Sequence, residues 1–288
     1  MFKRAFGLLA LGAQLVQAQV NVAAAALVPA YIWPETETTW QPLYDQIEGH
    51  PSVQFTIIVN PDSGPGANSL PDAAYQREIL KLHDYDNVRL VGYVAVNWTN
   101  KAQSTVEAEV AKYAGWPSAS GNAALSVDGI FFDEAPTDND AAKITFMQSV
   151  TTYTRSFANA GLSASPYVVT NPGYPPARAY LYNANDDSLV PDLSLVYEEA
   201  YSTWTTDQDT VKDLIWGLDV DNGSLAVMLH DVPATIACAD LSALVDDFKG
   251  NVGVNTLWFT NDSDYQVWPD ATLWNEYLNA FASGGSAC

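Results

Sequence analysis

Val127-Asp128-Gly129-Ile130-Phe131-Phe132-Asp133-Glu134-Ala135-Pro136 runs a hydrophobic strand straight into two adjacent acids. Keeping a strand apolar to its end and then placing carboxylates there costs stability. The acids are therefore either working groups at the mouth of a site, or a loop cap or arginine partner. Adjacent strand residues point to opposite sides, so only one of the pair lines the interior unless the strand bends, and Pro136 is placed to bend it.

Short apolar runs recur on both sides of this stretch, punctuated by Gly, Pro and Asn: 27–33, 53–60, 88–96, 127–133, 167–171, 193–198, 225–230 and 256–260. Between them lie helical stripes, clearest in Val211, Leu214, Ile215 and Leu218 and in Leu241, Leu244, Val245 and Phe248. Phe146, Val150, Tyr153 and Phe157 form a third, with Gly161 as its expected stop. Eight alternations of strand and helix predict an α/β fold with parallel strands, and the count of eight favours a single closed (β/α)8 TIM-like barrel. The fifth unit is the weakest, because Pro172, Pro175 and Pro176 leave room for only a short helix before Asn183. No linker or composition shift divides residues 19–288, which read as one catalytic domain.

Barrel chemistry sits at the C-terminal ends of strands. The candidates there are Tyr31 and Trp33, Asn60, Tyr93 and Trp98, Asp133 and Glu134, Asn171 and Tyr174, Glu198 and Glu199, His230 and Asp231, and Asn261 and Asp262. Strands four and six both end in paired acids and are expected nearly across the mouth from each other, their carboxylates facing one gap. Two acids flanking a gap, with Trp33, Trp98, Tyr174, Tyr201 and Trp204 as flat faces for sugar rings, make the minimal apparatus for glycoside hydrolysis. The chain has no GxSxG elbow and no GxxxxGK[ST] loop, and Gly64-Pro65-Gly66 precedes no phosphate-binding lysine. His230 fits a hydrogen-bonding role at the mouth better than a triad. Cys238, Cys288 and the three histidines show no ligand spacing, so neither metal nor cofactor is expected.

Lys3 and Arg4 precede an apolar run, and Val16-Gln17-Ala18 offers a cleavage site, which predicts a secretory signal peptide over 1–18. Its removal leaves ten basic against 34 acidic residues, a formal −24. That balance excludes nucleic acid and anionic membranes as partners and suits a neutral or cationic ligand. In an exported chain Cys238 and Cys288 are expected to form one disulfide. Asn97, Asn222 and Asn261 head N-glycosylation sequons, and Asn222, placed on the face opposite the site, is the best glycan acceptor. A monomer is the default.

Asn60-Pro61-Asp62-Ser63-Gly64-Pro65-Gly66 after strand two, Gly92-Tyr93-Val94, Asp128-Gly129-Ile130-Phe131-Phe132-Asp133-Glu134, Asn171-Pro172-Gly173 and Val196-Tyr197-Glu198 together resemble the spherulin-4 family of fungal cell-surface proteins, across nearly all of 25–265. The resemblance implies a secreted or wall-associated TIM-like barrel hydrolase. Relatives act as endo-α-1,4-N-acetylgalactosaminidases on galactosaminogalactan, a polysaccharide of fungal biofilms. It implies catalytic roles for Asp133, Glu134 and Glu198, and none for Glu199.

An α-linked 2-acetamido sugar cannot assist displacement of its own leaving group, so a protein nucleophile is required. Asp133 is the expected nucleophile, Glu198 the acid/base with a raised pKa, and Glu134 orients the sugar or hydrogen-bonds Asp133. On a β-linked substrate Glu134 would instead be the acid of a substrate-assisted pair. The competing readings are a non-catalytic wall or spore-coat protein that binds polysaccharide, and a glycosidase for deacetylated galactosamine or chitin-like polymer.

Overall fold

The computed structural model describes residues 24–183 and 188–283. The expected signal peptide, 1–18, and Cys288 lie outside them. Eight parallel strands close into a barrel in the order β1-β2-β3-β4-β5-β6-β7-β8. They are β1 (Ala25–Ala30), β2 (Gln54–Val59), β3 (Val88–Ala95), β4 (Gly129–Asp133), β5 (Tyr167–Thr170), β6 (Leu193–Ala200), β7 (Leu225–His230) and β8 (Thr256–Phe259). Each matches an apolar run of the sequence to within a few residues. The order is sequential because a right-handed crossover through a helix sets each strand beside the last.

Among the described residues seven α-helices pack outside: α1 (Gln41–Gly49), α2 (Ala73–Leu82), α3 (Gln103–Ser120), α4 (Ala141–Arg155), α5 (Tyr201–Trp216), α6 (Cys238–Asp246) and α7 (Ala271–Ser283). Val211, Ile215, Leu241, Val245 and Phe248 of the predicted stripes are buried, each burial contributing about 1.5–3 kcal/mol. Leu214 stays exposed. Helix α4 ends at Arg155, ahead of the stop expected at Gly161, and the chain then turns through Asn159 and Gly161 at φ 57° and 115°. The proline-rich fifth unit contains a 3₁₀ turn, Arg178–Tyr180, where a short helix was expected. In a helix interior each proline lacks the amide hydrogen of an i→i−4 bond and disfavours helical backbone in the residue before it, so Pro172, Pro175 and Pro176 keep residues 171–176 from continuing as a helix.

Positive φ at non-glycine residues concentrates on the C-terminal face of the barrel. Ser63, Asn97, Trp98, Thr99, Glu134, Asp231 and Tyr265 all follow strand ends, against two such residues, Asn159 and Asp219, elsewhere among the described residues. Each such backbone costs on the order of 1–3 kcal/mol, and that cost is characteristically located at functional sites. Among the described residues no helix is long and apolar enough to cross a membrane.

Candidate active site

The Asp133-Glu134 step is stitched to both neighbours. The Val96 and Trp98 amides donate to the Asp133 and Glu134 carbonyls on the β3 side, and the Ala135 amide donates to Asn171 on the β5 side. The bend expected at Pro136 is made earlier, by Glu134 itself at φ 56°. Asp133, two residues on from Phe131 and on the same side of β4, turns into the mouth. Its Oδ2 accepts the Tyr93 hydroxyl at 2.6 Å and its Oδ1 accepts Asn171 Nδ2 at 2.8 Å. Glu134 makes no side-chain hydrogen bond among the described residues, so the partners of Asp133 are Tyr93 and Asn171 rather than Glu134.

Strands β4 and β6 do not face each other across the mouth, as the sequence suggested. They flank β5, and Asn171 at its end fills the gap between their acids. The second hydrogen of Asn171 Nδ2 goes to Glu198 Oε2 at 2.6 Å. Asn171 Oδ1 accepts the Gly173 amide at 2.9 Å, which fixes the orientation of the amide. Gly173 can close this turn because its φ of 65° suits a residue without Cβ. The Gly173 carbonyl in turn accepts the Glu198 amide at 3.1 Å.

A β-bulge aims Glu198. Ser194 bonds Thr170, which lines a space with Met147 and Thr151 of α4, so Ser194 faces the helices. Strict alternation would send Glu198 the same way. The register shifts between Leu195 and Tyr197, leaving Val196 unpaired; Tyr197 then packs on Trp204 of α5 and Glu198 faces the mouth. Its Oε1 accepts the Tyr265 hydroxyl at 2.7 Å. Burial raises the Glu198 pKa, while the bonds from Tyr265 and Asn171 oppose it, Asp133 adds to the rise and His230 lowers it.

Tyr31, Tyr93 and Tyr265 pack edge to face around this pair, at 5.7 Å and 6.2 Å from Tyr31. Burial, then Asp133, pushes the Tyr93 hydroxyl far up, and burial, then Glu198, does the same for Tyr265. Both hydroxyls stay protonated and available as donors. Tyr265, in the β8–α7 loop, is a site residue that the strand-end reading misses. The signals were indirect: Asp262 three residues before it and Asp264 immediately before it, typical loop-shaping types.

The other predicted residues divide. Trp33, Trp98 and Tyr174 are about half exposed, at 49%, 50% and 42%, following the ends of β1, β3 and β5. His230 ends β7 with Nδ1 2.8 Å from Asp231 Oδ2. Asn60 and Asp262 spend their oxygens on their own loops: Asn60 Oδ1 accepts the Gly64 amide, and Asp262 Oδ2 the Gln266 amide. Tyr201 lines an outer groove between α5 and α6 with Asp240 and Asp247. Trp204 is buried against Tyr197 and Phe248 and offers no face to a sugar. Asn97 is exposed, Asn261 Oδ1 accepts the Asp270 amide, and Asn222 opens a 3₁₀ turn before β7. Cys238 opens α6 and is not free. Among the described residues no group of three or more His, Cys, Asp or Glu could hold a metal.

The model of the spherulation-specific family 4 matches residues 25–281. Aspergillus clavatus Sph3, solved in complex with GalNAc, superposes with a TM-score of 0.78 at 34% identity, covering 90% of this chain and 98% of that one. The chain belongs to the spherulation-specific family 4. No curated protein matches the sequence. Two glycoside hydrolase family 5 enzymes share the fold of this spherulation-family barrel. A xyloglucan-specific endo-β-1,4-glucanase from a metagenomic library, solved with cellotriose, has a TM-score of 0.52 at 13% identity, covering 92% of this chain and 97% of its own. A Bacteroidetes-affiliated cellulase has a TM-score of 0.54 at 10% identity, covering 92% and 91%.

Proposed function

We propose that this member of the family is a secreted, endo-acting glycoside hydrolase that cleaves α-1,4-linked N-acetylgalactosamine and galactosamine polymer with retention of configuration. The observation that carries the reading is the single Asn171 nitrogen between Asp133 and Glu198. Since it lies 2.8 Å from one oxygen and 2.6 Å from the other, those oxygens are no farther apart than the sum, roughly 5.4 Å. This supports a retaining pair, spaced about 5–5.5 Å, over an inverting pair at about 6.5–9.5 Å.

In the mechanism Asp133, held by Tyr93 and Asn171, attacks the anomeric carbon as the glycosidic C–O bond breaks, and Glu198 gives its proton to the leaving oxygen. Glu198 then takes a proton from the water that displaces Asp133. Glu134, whose carboxylate has no hydrogen-bond partner among the described residues, is free to orient the sugar. The GalNAc bound to Sph3 supports the sugar class. Half-exposed aromatic residues after the ends of three strands support a polymer and internal cleavage, and the net acidity suits ammonium groups on deacetylated residues. The reading includes export through residues 1–18, wall association, a glycan on Asn222 and a bridge from Cys238 to Cys288.

The test is reducing-end release from partly deacetylated α-1,4-galactosamine polymer by wild type, Asp133→Asn and Glu198→Gln. Cleavage by wild type alone is the expected result. Binding without cleavage by wild type would make the protein a polysaccharide-binding wall component instead.

A further inference from the structure

Both oxygens of Glu198 already receive hydrogen bonds. Asn171 Nδ2 donates to Oε2 and the Tyr265 hydroxyl to Oε1. These donors are not equivalent. An amide nitrogen has hydrogens and no lone pair to offer, so it cannot accept a bond from a protonated carboxyl, and its orientation is fixed by the Gly173 amide on Oδ1. A phenol both donates and accepts. Tyr265 is therefore the partner of Glu198 that can serve both its charged and its neutral form.

Tyr265 is held in place at some cost. Its backbone sits at φ 59°, unusual for an aromatic residue, and the β8–α7 loop that carries it is tied down at three points. Asp262 Oδ2 accepts the Gln266 amide, Asn261 Oδ1 accepts the Asp270 amide, and Trp268 Nε1 donates to the Thr39 carbonyl just before α1. The ring packs edge to face on Tyr31. A strained residue fixed by its whole loop and aimed at one carboxylate oxygen is the arrangement expected of a functional constraint.

We propose that Tyr265 is the positioning residue of Glu198, donating to Oε1 when the carboxyl is ionised and accepting from it when the carboxyl is protonated. The inference rests on the acid/base role given to Glu198 above. The groups facing Glu198 are Asp133 of β4, Asn171 just after β5, His230 of β7, Tyr31 just after β1, Tyr93 of β3, and Tyr265 of the β8–α7 loop. Tyr265 favours the charged form of Glu198, so removing its hydroxyl lets burial and Asp133 push the proton affinity higher.

The experiment is a carboxyl 13C NMR titration of Glu198 in the full-length protein, the signal assigned by its loss in Glu198→Gln, in wild type and Tyr265→Phe. A retained fold is checked by the unchanged far-UV circular dichroism and cooperative thermal melt of the variant. The expected result is a Glu198 midpoint about one pH unit higher in Tyr265→Phe, the size of one hydrogen bond to a charged group. The basic limb of the kcat/KM profile on galactosamine polymer should move the same way, with kcat reduced and KM little changed. An unchanged or lowered midpoint in a folded variant would overturn the proposal. The titration needs no substrate. If wild type proves inactive on the polymer, the enzymatic reading fails while the role of Tyr265 toward Glu198 is still decided.

Discussion

Asp133 and Glu198 share a single donor: the Asn171 side-chain nitrogen sits 2.8 Å from one carboxylate and 2.6 Å from the other. Two acids this close repel when both are charged, and a neutral amide that spends one hydrogen on each holds their spacing without adding charge.

Asn171→Ala therefore removes two charge-assisted bonds at once. Each is worth about 1.5–3 kcal/mol, but the acids can relax and recruit water, so the expected loss in kcat is roughly 10–100-fold with KM nearly unchanged. Steady-state kinetics on the polymer measures this split. A pure KM effect would mean that Asn171 touches sugar instead of placing the acids.

The raised pKa of Glu198 has a stability consequence of definite sign. A carboxyl that holds its proton more tightly in the folded state contributes stability below its unfolded pKa, and that contribution is lost as pH rises through the folded value. Glu198→Gln, which carries no charge at any pH, should therefore match wild type in Tm near pH 4 and exceed it at neutral pH. Thermal melts across that range test it; a gap that narrows with rising pH would contradict the assignment.

Trp33 and Trp98 are half exposed, so their side chains contribute little to the core. Each should lose about 2–10-fold in polymer affinity on replacement by alanine, the scale of one aromatic stacking contact, with Tm changed by no more than a degree or two. Binding isotherms of inactive Glu198→Gln carrying each substitution isolate this effect. Equal affinity in all forms would remove the two residues from the substrate path.

Gly129 opens β4 where a Cβ would lie 1.8 Å from the Tyr167 carbonyl oxygen. Because the obstacle is backbone in the β4–β5 ladder, Gly129→Ala should cost about 3 kcal/mol or more and lower Tm by several degrees, with loss of soluble protein as the extreme. Denaturant melts read it directly, and a wild-type midpoint would show that the ladder yields there.

The sequence by itself determined the eight-unit barrel and the strand ends that bear acids. Both are short-range properties: a run such as Ile130-Phe131-Phe132 is apolar because it is buried between interior and helices, and its polar end marks where burial stops. Asp133, Glu198, Asn171 and Tyr93 could be placed at one mouth on that basis. Which atoms meet there was decided only by the tertiary structure. Glu198 faces the mouth because one unpaired residue, Val196, shifts the β6 register, and it meets Tyr265 from 67 residues away through a loop held by Asp262 and Asn261. Trp204 and Asp262 show the converse, since residue type suggested ligand contacts and packing assigned them to core and loop. Periodicity records burial along the chain, whereas hydrogen bonds between distant loops exist only once barrel closure has fixed the register of every strand.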